Sequence, residues 1–132
     1  MTSLPAFNAR PLHGRCIVVT RPAEAAEALV ALIEERGGRA LRFPAIEIED
    51  LPGWEPPALA AGDLAVFVSP TAVRKALERI ARLPEGVQAA AVGSGTRREL
   101  EGRGVPGVLA PQVGADSEAL LALPEMSEVA GR

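Results

Sequence analysis

Aromatic and sulfur-containing side chains are scarce in this sequence, and their scarcity excludes several kinds of protein. It has no tyrosine, one tryptophan, three phenylalanines, one cysteine and one histidine among its 132 residues. A single cysteine excludes an internal disulfide and a cysteine-cluster zinc site. Because the hydrophobic fraction is nevertheless 48%, the core must be aliphatic, as in helices packed on a parallel sheet. Cys16, at the start of an apolar strand, is predicted to be a buried, inert thiol, and His13 a solvated loop residue.

Long apolar runs and a strong excess of one charge are missing as well. No stretch near the amino terminus has the apolar length of a signal peptide, and none approaches the about 18 residues of a membrane-spanning helix. The net charge is -3 and charged residues make up 23% of the chain, which argues against disorder and against duplex nucleic acid as a partner. We therefore expect a soluble, cytoplasmic protein without membrane or nucleic-acid partners.

What the sequence does contain is a regular alternation of strand and helix patterns. The predicted strands are the apolar segments at 15–20, 40–49, 64–68, 88–92 and 107–110, with amphipathic stretches between them. This alternation predicts an α/β fold with doubly wound parallel sheets. The predicted segments are a flexible lead at 1–13, the first part of lobe 1 at 14–49, a crossing segment rich in proline and glycine at 50–62, and most of lobe 2 at 63–132.

Three of the predicted strands run directly into helix starts, and each junction carries hydroxyl groups or glycine. The junctions are Thr20-Arg21-Pro22, Ser69-Pro70-Thr71 and Gly93-Ser94-Gly95-Thr96. A helix start leaves about four backbone N–H groups without intrahelical partners and carries the positive end of the helix dipole. Because such junctions gather at the carboxyl edge of a parallel sheet, they predict a surface that binds an anionic ligand through main-chain donors.

The order and spacing of these motifs resemble the front half of bacterial uroporphyrinogen-III synthases, over about residues 14–132. The matching motifs are Thr20-Arg21-Pro22, Phe43-Pro44-Ala45-Ile46-Glu47-Ile48, Asp63-Leu64-Ala65-Val66-Phe67-Val68-Ser69-Pro70-Thr71-Ala72-Val73, Ala91-Val92-Gly93-Ser94-Gly95-Thr96 with Leu100 and Gly104 behind it, and Asp116-Ser117-Glu118-Ala119-Leu120-Leu121. Each motif is weak by itself, and the specificity of the match lies in their order and spacing.

The resemblance implies a two-lobed α/β enzyme, of which only part is present here. The family is a lyase of tetrapyrrole (haem, sirohaem, cobalamin) biosynthesis. It cyclises the linear tetrapyrrole hydroxymethylbilane to uroporphyrinogen III with inversion of ring D, uses no metal or organic cofactor, and is usually monomeric. On that pattern the substrate-binding residues are Thr20, Arg21, Ser69, Pro70, Thr71, Gly93, Ser94 and Thr96. The tyrosine implicated in leaving-group departure in the family has no counterpart in this sequence, so the catalytic residues stay unassigned.

Each junction also has a purely structural interpretation. Ser69 followed by Pro70 is a good helix start whether or not a ligand binds. The segment 93–96 is equally a tight strand-to-helix turn, and Arg98 at the third glycine position breaks the dinucleotide-binding pattern. Arg21 is equally suited to pairing with glutamates at the surface, where such pairs add little stability.

Three functions remain open on the sequence. In the first, the chain is the amino-terminal part of the enzyme. In the second, it is a non-catalytic α/β lobe that binds a polyanionic small molecule. In the third, it is an inactive fragment that needs a missing half. Gly131-Arg132 repeats the Gly14-Arg15 pair that introduces the first strand, and no strand follows it, so we expect a truncated chain. Such a chain is expected to be inactive by itself and to self-associate through an exposed strand.

Overall fold

The computed structural model describes residues 10–127, and the chain divides into two compact units, Met1–Pro52 and Gly53–Arg132. The division falls inside the predicted crossing segment at 50–62. Each unit contains a two-stranded parallel sheet packed against one helix or more, which confirms the predicted α/β class. Within residues 10–127, no helix combines the length and the apolar character needed to span a membrane.

Unit 1 has a β-α-β arrangement whose core lies between the sheet and one helix. Strand β1 (Cys16–Val19) pairs in parallel with strand β2 (Arg39–Arg42), and helix α1 (Ala23–Glu35) connects them. The apolar side chains of α1 recur at helical spacing and meet the sheet on one side. The buried residues of this core are Val19, Ala26, Val30 and Ile33.

A glycine pair ends α1, and an ion pair ties the helix to β2. Gly37 has a φ of 81°, and the N–H groups of Gly37 and Gly38 donate to carbonyl oxygens of the last helical turn at 2.9 and 3.0 Å. This is the predicted end of the helix, because glycine takes that backbone conformation without strain. Arg42 donates two hydrogen bonds to the Glu27 carboxylate, at 3.2 and 3.1 Å, and this contact raises the pKa of Arg42.

Among the described residues nothing covers the other face of the unit 1 sheet, and two predictions for β1 are therefore wrong. Because side chains alternate across a strand, Ile17 and Val19 face α1, whereas Cys16 and Val18 face away from it. Cys16 is exposed and Val18 is 53% exposed, so the thiol is not buried and the strand is not covered on both faces. Leu41, opposite Val18 on β2, is 46% exposed.

The segments that flank this sheet also differ from the prediction. Residues 10–13 belong to the predicted flexible lead, but they form a turn in which the N–H of Leu12 donates to the carbonyl oxygen of Arg36 at 3.0 Å. The rest of that lead, residues 1–9, lies outside the described residues. The predicted strand at 40–49 ends at residue 42, since Pro44 lacks the N–H that would continue the ladder. His13 is exposed, as predicted.

Unit 2 contains the longer strand–helix series. Strand β3 (Leu64–Phe67) precedes helix α2 (Pro70–Ile80), and strand β4 (Gln88–Ala91), which pairs in parallel with β3, precedes helix α3 (Ser94–Gly102). Helix α4 (Ser117–Leu121) and a 3-10 turn (Pro124–Met126) follow. Both strands lie within one residue of their predicted ends at 64–68 and 88–92.

Apolar side chains cover both faces of β4. On one face its alanines join α2 and α3 in a core whose buried members are Phe67, Val73, Leu77, Ala89, Ala91, Leu100 and Val108. On the other face Ala90 is 0% exposed and packs with Leu120 and Met126. Strand β4 therefore has layers on both of its faces, as strands in α/β folds do.

The predicted strand at 107–110 is reduced to a single parallel bridge between Ala90 and Leu109. Leu109 accepts one hydrogen bond from β4 at 2.8 Å and donates one to it at 2.9 Å. Pro106 and Pro111 flank the segment. Because proline has no N–H, the ladder does not extend past them, and the prediction of a full strand is wrong.

The turn after α2 contains a strained residue. Ala81 has φ 58° and ψ -45°, a conformation that residues with a side chain rarely adopt. Across it, the N–H of Arg82 donates to the carbonyl oxygen of Ile80 at 2.6 Å. This is the strained form of the γ-turn.

We expect Ala81→Gly to raise the free energy of unfolding by about 0.5–1 kcal/mol. Glycine removes the backbone strain at this position, and this gain is larger than the loss caused by the greater conformational entropy of the unfolded chain. Ala76→Gly, in the body of the same helix, should lower it by about 1 kcal/mol, because alanine there is a better helix former and packs against the core. Urea denaturation of both variants measures the difference. Equal losses of stability would contradict the strain at Ala81.

Candidate functional site

The carboxyl edge of the unit 2 sheet brings two of the predicted junctions together. Strands β3 and β4 end side by side, and the N–H of Val92 donates to the carbonyl oxygen of Phe67 at 3.2 Å. The helices that follow begin next to each other, since a Cβ placed on Gly95 would lie 3.8 Å from Cγ of Pro70. The predicted site residues that share this edge are Ser69, Pro70, Thr71, Gly93, Ser94 and Thr96.

The start of α2 is closed by its own residues. The hydroxyl oxygen of Ser69, the N-cap, accepts a hydrogen bond from the N–H of Ala72 at 3.1 Å, and Pro70 has no N–H. The hydroxyl oxygen of Thr71 accepts a hydrogen bond from the Arg74 guanidinium at 3.0 Å, which leaves its O–H able to donate. This helix start therefore offers an anion few donors beyond those of Thr71.

The start of α3 is open. Its N-cap is Gly93, which has no side chain, and within residues 10–127 nothing accepts a hydrogen bond from the N–H groups of Ser94, Gly95 or Thr96. Ser94 and Gly95 are exposed, and the first turn contains no acidic residue. Unmatched N–H groups at the positive end of a helix form the arrangement that binds carboxylate and phosphate oxygens.

Thr96 differs from its neighbours on this turn because it faces inward. It is 4% exposed, although the resemblance implies that it contacts substrate. A side chain this buried presents little surface to a ligand. The main-chain N–H is therefore the group that the geometry of Thr96 offers to an anion.

The remaining helix starts carry acidic side chains. The carboxylate of Asp116 caps α4 by accepting a hydrogen bond from the N–H of Ala119 at 2.8 Å. Helix α1 begins after Pro22, and Glu24 lies in its first turn. A carboxylate at a helix start offsets the positive end of the dipole, so these starts are poorer sites for an anionic ligand than α3 is.

The predicted site residues of unit 1 lie at the end of β1. Thr20 and Arg21 are both exposed, and the carbonyl oxygen of Thr20 accepts a hydrogen bond from the N–H of Ala45 at 3.0 Å. Arg21 forms no ion pair with a carboxylate in the described part of the chain. A depression of about 400 Å³ is lined by the first turn of α1 and residues 44–48, among them Glu24 and Glu47. Because its walls include two carboxylates, this depression is poorly suited to an anion, and Arg21 is the cationic residue among the predicted site residues of unit 1.

Two arginines near the helix starts of unit 2 are not among the predicted site residues. Arg74 on α2 donates to Thr71 and lies 3.7 Å from the Glu99 carboxylate of α3. Arg98 on α3 donates from Nε to the carbonyl oxygen of Ser94 at 3.3 Å. Each lies three or four residues after a junction residue, the spacing at which a helical side chain turns back toward the helix start, and that spacing is the available signal in the sequence.

Comparisons with known proteins point to one family. The family profile described as uroporphyrinogen-III synthase HemD matches residues 27–131. The uroporphyrinogen-III synthase of Chlorobaculum parvum is 30% identical over 125 residues, which cover 89% of this chain and 50% of that protein. The one from Escherichia coli is 35% identical over 130 residues, covering 88% and 51%.

A solved structure agrees with these relatives in fold. The crystal structure of uroporphyrinogen-III synthetase from Helicobacter pylori is similar with a TM-score of 0.61 at 20% identity. The similarity covers 83% of this chain and 52% of that one. The chain therefore spans about half the length of the relatives it matches.

We expect Ser69→Ala to lower the free energy of unfolding of unit 2 by about 1 kcal/mol, because it removes the cap of α2. Ser94→Ala removes a hydroxyl that caps nothing at the start of α3, so its effect should stay below about 0.5 kcal/mol. Thermal melts followed by circular dichroism compare the two variants. A loss of the same size in both would show that the two helix starts do not differ as described.

Proposed function

This chain belongs to the uroporphyrinogen-III synthase family, and on this basis we propose that it supplies a carboxylate-binding edge for the reaction of that family. The reaction cyclises hydroxymethylbilane with inversion of ring D, which gives uroporphyrinogen III in tetrapyrrole biosynthesis. Its linear substrate carries eight carboxylates, so the protein must offer hydrogen-bond donors and positive charge. The observation that supports the proposal is the open start of α3, where three N–H groups lack acceptors in the described part of the chain.

In this proposal, acetate and propionate oxygens accept hydrogen bonds from the N–H groups of Ser94, Gly95 and Thr96. The hydroxyl of Thr71 donates from the neighbouring turn, whose shape is held by Ser69 and Pro70. Gly93 allows the segment at Ala115 to approach the turn closely, since a Cβ on Gly93 would lie 3.3 Å from Cβ of Ala115. Hydrogen bonds to charged groups contribute about 1.5–3 kcal/mol each, and less where solvent screens them, so several are needed for firm binding.

In unit 1, Thr20 and Arg21 are proposed to bind carboxylates. The guanidinium of Arg21, which forms no ion pair among residues 10–127, suits a charge-assisted, bidentate contact with a carboxylate. The residue that assists departure of the hydroxyl group stays unassigned.

A binding function without catalysis is the second candidate, and the grouping of the open donors on one helix start favours it. A surface that binds carboxylates can exist on one unit, whereas ring closure requires the bilane to be held in one reactive conformation. In that case the chain binds a tetrapyrrole or another polyanion and releases it unchanged.

The proposed cellular location and ligand class follow from the family and from the net charge of the chain. We propose a cytoplasmic protein that acts on a small molecule, because the net charge of -3 disfavours nucleic acid. Self-association through the uncovered face of the unit 1 sheet, where Val18 and Leu41 are exposed, is part of the same proposal.

We expect the chain to bind uroporphyrin, a stable octacarboxylate, more tightly than coproporphyrin, which has four carboxylates. Titration followed by porphyrin fluorescence measures both affinities. Raising the salt concentration from about 20 mM to about 500 mM should weaken uroporphyrin binding several-fold, because salt screens exposed charges. Equal, salt-independent affinity for the two porphyrins would indicate apolar stacking instead of carboxylate recognition.

A charge placed at the start of α3 tests the location of the site. Ser94→Asp should weaken uroporphyrin binding about tenfold, because its carboxylate repels those of the ligand. The same carboxylate favours the helix dipole, so the variant should be as stable as the parent chain or more stable. Ser94→Asn is the matched control, with similar size and no charge. If both variants bind like the parent, the site does not lie at α3.

We expect the 132-residue chain alone to form little uroporphyrinogen III above the isomer I that arises spontaneously from hydroxymethylbilane. The reason is that ring closure needs the bilane held and oriented along its length. Chromatography of the oxidised porphyrin isomers measures the ratio. Efficient formation of the type III isomer would exclude the binding-only candidate.

A further inference from the structure

Strand β3 has one edge with which no strand or loop pairs in the described part of unit 2. Its other edge pairs with β4, where the N–H of Gln88 donates to the carbonyl oxygen of Asp63 at 2.9 Å. Because the main-chain groups of a strand point alternately to its two edges, every second residue from Leu64 onward directs its N–H and C=O groups to the open edge. These residues are Leu64, Val66 and Val68, and no main-chain group of residues 10–127 pairs with them there.

This edge has none of the usual protection against pairing with another strand. Sheet edges in natural proteins are commonly protected by a charged residue, a proline or a bulge. The segment 64–68 contains no charged residue and no proline, and β3 pairs with β4 without a bulge. The side chains of Val66 and Val68 are 47% and 69% exposed. The edge is therefore a template to which an extended chain can add by main-chain hydrogen bonds.

An apolar groove adjoins the edge on the sheet face that carries α2. It has a volume of about 280 Å³, and residues 64–67 form one of its walls. Its other walls belong to α2 and to the crossing segment, and none of the residues that line it is charged. These other walls include Trp54, Pro56, Pro57, Leu59, Ala76 and Ile80. Since Val66 and Val68 are exposed on the opposite sheet face, a strand placed next to β3 would meet apolar surface on both of its faces.

From these features we infer that the open edge of β3 binds an extended strand of another polypeptide that has apolar side chains on both faces. Main-chain hydrogen bonds to Leu64, Val66 and Val68 hold this strand. One row of its side chains enters the groove beside Trp54, and the other row covers Val66 and Val68. The inference concerns a protein partner and does not depend on the proposed carboxylate-binding edge.

A second copy of this chain fits the edge less well. In a two-fold arrangement, β3 of one copy would lie next to β3 of the other. The side chain of Phe67 is 7% exposed because it already packs in the core of its own copy. Such a strand brings no free side chain to the groove on the α2 face. A strand that is not yet part of a sheet has both rows of side chains available, which is what this site requires.

The test uses the full 132-residue chain and a synthetic peptide in which alternating valine and leucine residues lie between pairs of lysines. Trp54, the single tryptophan of the chain, lies in the groove, so its fluorescence reports directly on occupation of the site. We expect saturable binding with a blue shift of the emission. A control peptide with the same sequence, N-methylated at alternate residues, lacks main-chain donors along one edge and should bind at least about tenfold more weakly.

A variant of the edge locates the binding strand. Val66→Pro removes an outward N–H that takes no part in the ladder with β4, so the sheet should persist while peptide affinity falls about tenfold. Val66→Thr is the matched control, because it keeps the N–H and the β-branched shape, and it should change the affinity less than about twofold. Melting temperatures of both variants are measured in parallel. Should Val66→Pro fail to fold, the two peptides compared on the parent chain still test the inference.

The other results contradict the inference in distinct ways. Equal affinity for the two peptides would show apolar adhesion without strand pairing, and unchanged affinity of Val66→Pro would place the peptide away from β3. Absence of peptide binding would also overturn the inference. If the parent chain sediments as a dimer and Val66→Pro as a monomer, the occupant is a second copy and the assignment to another polypeptide is wrong. All these results leave the binding of uroporphyrin as a separate question.

Discussion

The backbone N–H groups at a helix start must find acceptors, and this chain meets that requirement differently at each helix. Ser69 and Asp116 serve the starts of α2 and α4 with their own oxygens. At α3 the N-cap is Gly93, and the donors are left to solvent or to a ligand. A carboxylate that binds at these N–H groups replaces water. The net free energy gained per hydrogen bond is therefore small, and several donors must contribute. Helix α1 also lacks a side-chain cap, but it has Glu24 in its first turn, whereas the first turn of α3 contains no acidic residue. Of these two starts, α3 is electrostatically the more favourable for an anion.

The position of α3 is set by the layers around β4. Ala89, Ala90 and Ala91 are between 0% and 1% exposed, and their small side chains let layers pack closely on both faces of the strand. Leu100, 0% exposed, anchors α3 in that core, and Glu99 pairs with arginines on both sides, one of them on α2. These contacts fix the helix start relative to the strand end. Preorganised donors lose little conformational entropy on binding, which compensates for the modest strength of each contact.

The features that the sequence predicts well are those set by neighbouring residues. The Ser69 cap, the glycine pair after α1 and the strands at 64–68 and 88–92 follow from local backbone preferences. Features that depend on distant packing are missed: the exposure of Cys16 reflects an uncovered sheet face, and the inward position of Thr96 reflects the core beneath α3. The shortened strand at 107–110 could have been anticipated from Pro106 and Pro111.

The exposed face of the unit 1 sheet affects how often this part of the protein unfolds locally. A two-stranded sheet is marginal without cover, and here one helix supplies all of the cover in the described part of unit 1. Amide hydrogens of β1 and β2 should therefore exchange with solvent faster than those of β4, which is sealed between two layers. The two units thus differ in how often they unfold locally. We expect the first proteolytic cleavages to occur at positions before residue 53.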